Sequence, residues 1–157
     1  MSAAEALAAA RAQGLQIVAA ESCTGGMIMA ALTDIAGASD VVDRGFVTYS
    51  NAAKTEMLGV QPETLAAHGA VSEQVAREMA AGALARAQAG IAIAVTGIAG
   101  PGGSEHKPEG RVCFGVATAR GVTSQTIDFG PRGRAQVRAA TVEHALKMII
   151  ATLRAEG

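Results

Sequence analysis

The stretch LQIVAAESCTGG, residues 15–26, decides the fold of this chain. Its first half is a compact apolar run containing Ile and Val, which predicts a buried strand, and its second half is a polar turn ending in two glycines. The apolar residues of the next segment, residues 27–35, fall at helical spacing. Strand, tight turn and helix in this order are typical of a layered α/β protein.

The rest of the chain continues this alternation. The continuous apolar run at residues 90–96 predicts a central strand with both faces covered, and two consecutive strands after residue 110 predict an antiparallel part. We therefore expect one domain over residues 1–157, an α/β fold that forms a three-layer α/β/α sandwich around a mixed, mainly parallel sheet. Further strands are predicted at residues 44–50, 111–119 and 123–129, and further helices at residues 3–13, 52–58, 62–68 and 72–88 and from about residue 133.

The charge and hydropathy of the chain argue against several classes of partner. The formal net charge is −1 and 17% of the residues are charged, so we expect no nucleic-acid partner, which would require a basic face. A small cluster of arginines, Arg132, Arg134 and Arg138, is the main basic feature. The chain shows no signal-peptide pattern, and its apolar runs fall far short of the roughly 20 residues that span a bilayer. We expect a cytoplasmic protein with no membrane partner and, if it self-associates, a homodimer.

No metal or cofactor is expected. The two cysteines, Cys23 and Cys113, have neither CxxC nor Cys/His spacing, and the three histidines are scattered along the chain. In a cytoplasmic protein both thiols are expected to be reduced.

The turn ESCTGG is the first candidate for chemistry. A strand-to-helix turn with Gly25 and Gly26 exposes backbone N–H groups at a helix N-terminus, and these suit an anion or a developing oxyanion. The hydroxyl groups of Ser22 and Thr24 add donors. The spacing is neither that of a P-loop nor GxGxxG, so the alternative is a capped helix start without a ligand.

The segment YSNAAK, residues 49–54, is the second candidate. Asn51 is predicted as the N-cap of the helix at residues 52–58, which puts Lys54 in its first turn. The positive end of the helix dipole disfavours a cation there, and so favours the neutral amine that a general base requires. The alternative is an ordinary solvated surface lysine.

Two further loops carry candidates. Ser39, in the GASD segment, follows the first turn and helix, and its alternative role is to cap a short turn. The Gly-rich segment TGIAGPGG, residues 96–103, follows the predicted central strand and should lie at the carboxyl edge of the sheet, where ligands bind in open α/β folds. Its alternative role is a flexible connection. The candidate ligand contacts in it are Thr96, Gly97, Gly100, Gly102 and Gly103.

Five segments of the chain together carry a family resemblance: ESCTGG, RGFVTYSNAAK, GAVSEQVA, AVTGIAGPGG and KPEG. They resemble the motifs of the CinA C-terminal domain family over roughly residues 4–153. The chain resembles the stand-alone members, which are nicotinamide-nucleotide amidases. This resemblance implies hydrolysis of nicotinamide mononucleotide to nicotinate mononucleotide and ammonia in pyridine-nucleotide recycling, without metal or cofactor. It also implies Ser39 as nucleophile, Lys54 as general base and Tyr49 as an assisting hydroxyl group. The residues alone favour Ser22 or Ser50 as the nucleophile.

The sequence leaves the substrate contacts open. Amides at residues 24–26 or in the 97–103 loop could hold the oxyanion, and Gly-rich amides with Arg138 could hold the phosphate. Compared with the family, the 101–110 loop is one residue shorter, and Glu109 and Arg111 replace smaller residues, so substrate contacts should differ there. The alternative function is a nucleotide-binding or regulatory module without turnover.

Overall fold

The computed structural model describes residues 2–104 and 106–157, so Glu105, within the predicted 97–110 loop, and Met1 lie outside the described residues. All six predicted helices and all five predicted strands are present, together with a short 3-10 turn at Ala38–Asp40. The helices are α1 (Ser2–Ala12), α2 (Met27–Thr33), α3 (Asn51–Leu58), α4 (Pro62–His68), α5 (Glu73–Ala85) and α6 (Arg134–Glu156). The strands are β1 (Ile17–Glu21), β2 (Val42–Val47), β3 (Ile91–Gly97), β4 (Arg111–Thr118) and β5 (Gly121–Asp128).

The observed boundaries differ from the prediction most clearly between β2 and α3. The strand ends at Val47 rather than at residue 50, because Ser50 already caps the next helix. Its Oγ accepts a hydrogen bond from the N–H of Ala53 at 3.0 Å. The prediction of Asn51 as the N-cap is therefore wrong by one residue, and Asn51 is the first residue of α3.

The five strands form one mixed sheet in the order β2-β1-β3-β4-β5. β1 pairs in parallel with both β2 and β3, and β4 pairs antiparallel with β3 and β5. Four strands therefore run in one direction and β4 in the other, which confirms the predicted mixed, mainly parallel sheet. Because β1, β2 and β3 are parallel, the segments that follow them meet at one carboxyl edge.

Helices cover both faces of the sheet, as predicted for a three-layer sandwich. Alternate residues of the fully buried β1 join a core cluster with α1, α2 and α6 and a second cluster with α3 and α5. On the second face the backbones approach closely: a Cβ on Gly115 in β4 would lie 2.4 Å from the carbonyl oxygen of Ala76 in α5. A glycine in β4 therefore allows α5 to lie directly on the sheet.

Candidate active site

The amine of Lys54 lies inside the protein at the carboxyl edge of β1 and β2. The residue is only 1% exposed, although it belongs to a helix of just eight residues. Its Nζ donates hydrogen bonds to Ser22 Oγ at 3.0 Å, to the carbonyl oxygen of Thr48 at 3.1 Å and to that of Tyr49 at 3.4 Å. The alternative of a solvated surface lysine is therefore wrong, since the amine is buried and held against a hydroxyl group.

The parallel register of β1 and β2 explains this meeting. Glu21, the last residue of β1, pairs with Val47, the last residue of β2. The next residues, Ser22 and Thr48, therefore leave the sheet side by side. Helix α3 begins just after this edge. The N–H of Lys54 donates to the carbonyl oxygen of Ser50 and so closes the first turn of α3.

The N-terminus of α2 is occupied by the carboxylate of Glu21. Glu21 is completely buried, and its oxygens accept hydrogen bonds from the N–H groups of Gly26 at 3.2 Å, Ile28 at 2.8 Å and Met29 at 3.0 Å. The hydroxyl group of Thr24 donates to the same carboxylate at 2.6 Å. A carboxylate is the group that a helix dipole favours here. These amides therefore already bind the protein's own side chain, and a substrate anion in this turn stays a prediction.

The guanidinium of Arg138 also holds the turn between β1 and α2. Its Nε donates to the carbonyl oxygen of Cys23 at 3.0 Å and its Nη2 to that of Thr24 at 3.3 Å. Gly25 lies against the guanidinium, since a Cβ there would be 3.5 Å from Nη2. A cavity opens beside Ser22 and Lys54. The described residues that line it include neither Arg138 nor the turn residues Thr24, Gly25 and Gly26.

Cys23 follows Ser22 and lines the same cavity. Burial raises the pKa of its thiol to about 11, so the sulfur is protonated at neutral pH. A protonated thiol is a weak nucleophile. Of the two neighbouring groups, the hydroxyl of Ser22 is therefore the better placed for activation, because it touches the Lys54 amine.

Ser39 lies at the opposite, amino edge of the sheet. The 3-10 turn that contains it precedes β2, whereas Lys54 follows β2, and the six residues of that strand span roughly 15–20 Å. Ser39 is exposed and lines a separate cavity beside α2. The structure thus does not bring Ser39 and Lys54 together, and Ser39 as the nucleophile stays a prediction from the family resemblance alone.

Tyr49 contacts Lys54 through its backbone carbonyl group, while its phenol lies at the cavity mouth. Its side chain is 61% exposed, and its hydroxyl oxygen accepts a hydrogen bond from Nη2 of Arg134 at 2.7 Å. Nη1 of Arg134 donates to the carbonyl oxygen of Gly100 at 2.8 Å. Sequence reasoning noted Arg134 only within an arginine cluster. Its position as the first residue of α6, where a helix dipole disfavours cations, is the signal that could have singled it out.

A cavity of about 200 Å³ opens beside Ser22 and Lys54. Thr96 and Gly97, at the end of β3, line it, as their predicted position at the carboxyl edge requires. The hydroxyl group of Thr96 donates to the carbonyl oxygen of Ala70 at 2.9 Å and so joins β3 to the segment before α5. The cavity is therefore built from the ends of three parallel strands.

The Gly-rich loop beyond the cavity is held by Glu109. Its Oε1 accepts a hydrogen bond from the N–H of Gly102 at 2.7 Å, and its Oε2 accepts one from the N–H of Gly133 at 3.4 Å. A Cβ on Gly100 would lie 2.5 Å from the carboxyl carbon of Glu109. Gly100, Gly102 and Gly103 are outside the described lining of the cavity, so their predicted role in holding substrate is not supported. Arg111, the other unusual residue of this region, pairs with Asp128.

Two kinds of feature concern the helices and side chains of the described residues: a helix able to cross a bilayer, and a cluster of metal ligands. No helix in residues 2–104 and 106–157 is long and apolar enough to cross a bilayer. Over the same residues, no three His, Cys, Asp or Glu side chains are grouped so that they could hold a metal ion.

Comparison with known proteins places this architecture in a family. A family model of the CinA C-terminal domain matches residues 1–153. The chain belongs to the CinA C-terminal domain family. One CinA relative, the nicotinamide-nucleotide amidohydrolase PncC of Escherichia coli K12, is 52% identical over 144 residues, which is 90% of this chain and 86% of that protein. A CinA-like protein of Mycolicibacterium gilvum is 50% identical over 95% of this chain but only 36% of its own length.

Solved structures of CinA proteins agree with the fold described above. The competence/damage-inducible protein CihA of Agrobacterium tumefaciens superposes with a TM-score of 0.88 at 52% identity, covering 96% of both chains. The competence damage-inducible protein A of Klebsiella pneumoniae superposes with a TM-score of 0.94 at 41% identity, covering 98% of this chain and 95% of that one. The five-stranded sheet and its helices are therefore the CinA domain fold.

Proposed function

We propose that this protein is an amidohydrolase that converts nicotinamide mononucleotide to nicotinate mononucleotide and ammonia, with Ser22 as nucleophile and Lys54 as base. The observation that carries this proposal is the 3.0 Å contact between Lys54 Nζ and Ser22 Oγ beside the cavity at the carboxyl edge. The similarity to the E. coli nicotinamide-nucleotide amidohydrolase over 90% of the chain supports the substrate class.

The first half of the reaction requires that serine lose its proton as it attacks, because a hydroxyl group is a weak nucleophile. In the proposed mechanism, Lys54 is neutral when substrate binds. The carbonyl oxygens of Thr48 and Tyr49 accept its two hydrogens, so that its lone pair faces Ser22 Oγ. As Oγ bonds to the carboxamide carbon, the hydroxyl proton moves to Nζ and the carbonyl oxygen becomes an oxyanion.

The second half returns the proton and regenerates the serine. Lys54 gives its proton to the amide nitrogen, the C–N bond breaks, and ammonia leaves an ester on Ser22. Water, deprotonated by the same amine, attacks this ester and releases the nicotinate group, while Ser22 Oγ regains its proton. The oxyanion contacts are assigned to the cavity wall at Gly97 and Ala99, since the amides of Gly25, Gly26 and Ile98 already donate within the protein.

A module that binds nucleotide without turnover explains the site less well. Burying an amine costs free energy unless its hydrogen bonds are satisfied. A purely structural lysine could use Ser22 Oγ as an acceptor, but it would not require both residues to line a cavity, as Ser22 and Lys54 do here. The Ser22–Lys54 contact therefore favours an enzyme over a regulatory module.

The direct test is to incubate the purified protein with nicotinamide mononucleotide and to measure ammonia and nicotinate mononucleotide, which should appear in equal amounts. Lys54→Met keeps a side chain of similar length without the amine and is expected to lower kcat at least about a hundredfold. Wild-type activity should fall as the pH is lowered, because a protonated Lys54 cannot accept the serine proton.

Two results would contradict this proposal. Nucleotide binding by calorimetry without any product from the wild-type protein would favour the regulatory module. Unchanged ammonia release by Lys54→Met, folded as judged by circular dichroism, would eliminate Lys54 as the base.

A further inference from the structure

Arg134 stands at the mouth of the cavity, on the side away from the reacting pair. Lys54 and Arg134 are the two basic side chains among the described residues that line the cavity, and no carboxylate is among those residues. The lining therefore offers one buried amine at depth and one exposed guanidinium at the entrance. Such an arrangement suits a substrate with a negative charge at the end remote from its reacting group.

Tyr49 contacts both of these groups. Its carbonyl oxygen is 3.4 Å from Lys54 Nζ, and its phenol oxygen is 2.7 Å from Arg134 Nη2. The amine and the guanidinium therefore lie at the two ends of one tyrosine residue. In nicotinamide mononucleotide the carboxamide and the phosphate likewise lie at opposite ends of the molecule, with an aromatic ring and a ribose between them.

The present partners of Arg134 are groups that a phosphate can replace. The guanidinium donates to a carbonyl oxygen of Gly100 and to the phenol oxygen of Tyr49, both of which are neutral acceptors. Hydrogen bonds from guanidinium to an ionised oxygen are roughly twice as strong as those between neutral groups. A guanidinium also has five N–H donors in a planar fork, so it can meet two phosphate oxygens together.

The other candidate anion sites near the cavity are already occupied. The carboxylate of Glu21 takes the N-terminus of α2, and that of Glu109 takes the amides of Gly102 and Gly133. The guanidinium of Arg138, which donates to neutral carbonyl oxygens as Arg134 does, is not among the described residues that line the cavity. Of these groups, Arg134 is the one that lines the cavity.

We infer that Arg134 binds the phosphate group of the substrate and makes the site select nicotinamide nucleotide over the unphosphorylated riboside. This inference rests on the proposed amidohydrolase function and names the residue that sets its substrate preference. Arg134 binds and does not react, so its loss should weaken binding of the phosphorylated substrate without removing the chemistry.

The test compares Arg134→Gln with the matched control Arg132→Gln, which removes an exposed arginine two positions away that does not line the cavity. Kinetics are measured with nicotinamide mononucleotide and nicotinamide riboside, which carry the same carboxamide. We expect Arg134→Gln to raise KM for the nucleotide about ten- to a hundredfold, with kcat and the riboside kinetics changed less than about threefold. Arg132→Gln should change neither, and Arg134→Lys should restore part of the binding.

Equilibrium binding separates this inference from the proposed function. Calorimetry is carried out with the Ser22→Ala protein, with and without Arg134→Gln, using the nucleotide and inorganic phosphate as competing probes. Weaker nucleotide binding and lost phosphate competition in the double variant support the role of Arg134, even if the wild-type protein forms no product and the proposed function fails. An unchanged Kd and KM for the nucleotide would overturn the role. Equal losses with nucleotide and riboside would also overturn it, and would make Arg134 a support for Tyr49 and Gly100.

Discussion

Each of the two edges of the sheet carries a candidate serine next to a parallel strand. In this structure only the serine at the carboxyl edge contacts a basic side chain. At the carboxyl edge, Ser22 is buried and lies 3.0 Å from the Lys54 amine, although the two residues are 32 positions apart in the chain. At the amino edge, Ser39 is closer to Lys54 in sequence but exposed, with the length of β2 between them. Proximity along the chain is therefore a poor guide to proximity in a sheet, because each strand carries the chain from one edge to the other.

The two edges also differ in how firmly their loops are held. The turn after β1 is fixed from inside by Glu21, which accepts three backbone N–H groups, and from behind by Arg138. The 3-10 turn with Ser39 is held by backbone hydrogen bonds, such as that from the N–H of Val41 to the carbonyl oxygen of Ala38, and by an exposed bond from Nη2 of Arg11 to the carbonyl oxygen of Gly37 at 2.9 Å. A nucleophile must be held in register with its base, and the carboxyl edge supplies that rigidity.

The largest expected difference between the edges is in catalysis. Ser22→Ala should reduce ammonia release from the nucleotide at least about a hundredfold, because it removes the group in contact with the base. Ser39→Ala should change kcat/KM less than about threefold. The measurement is steady-state kinetics on both variants, with thermal unfolding as the control for folding. Loss of activity in Ser39→Ala and its retention in Ser22→Ala would reverse the comparison and restore the nucleophile implied by the family resemblance.

The next effect is on stability. Glu21→Gln should lower the free energy of unfolding by about 2–4 kcal/mol, because a buried carboxylate with four donors is replaced by an amide that cannot accept from all of them. Asp40→Ala, which removes an exposed carboxylate at the amino edge, should change it by less than about 0.5 kcal/mol. Urea unfolding measures both. Equal stability of the two variants would show that the Glu21 contacts contribute no more than an ordinary surface group.

The smallest expected effect is at Cys23, which separates the two possible nucleophiles of the carboxyl edge. Because burial raises the pKa of this thiol to about 11, Cys23→Ala should retain activity within about threefold. The thiolate fraction, and with it the reaction of Cys23 with iodoacetamide in a Cys113→Ala background, should rise with pH towards 11. Rapid alkylation at pH 7 together with loss of activity in Cys23→Ala would move the nucleophile from the hydroxyl group to the thiol.

Much of the fold could be predicted because its signals are local. Three such signals are the apolar run before Glu21, the Pro62 start of α4 and the helical spacing after Ser72. Each reflects neighbours along the chain, and the structure has the corresponding elements. Asn51 was predicted as the N-cap of α3 in place of Ser50 because Ser and Asn are equally good caps. The choice between them depends on where β2 ends, which the structure places at Val47.

The site was only partly predictable because its decisive contacts are long-range. Lys54 was singled out because a lysine in the first turn of a helix opposes the dipole, but its burial against Ser22 depends on the register between β1 and β2. The ESCTGG turn was predicted to hold an anionic group of the substrate, and in the structure a carboxylate of the protein occupies its amides. That Glu21 itself is this anion depends on its carboxylate turning back into the helix N-terminus.

Periodicity and local backbone preference are enough to predict the alternation of strands and helices, the glycine turn after β1 and an unusual lysine at residue 54. Long-range packing was needed to show which serine that lysine contacts, which carboxylates bind the free amides, and that Arg134 rather than Arg138 lines the cavity. The physical reason is that parallel strands gather residues distant in sequence at one edge, while the strand itself separates Ser39 from Lys54.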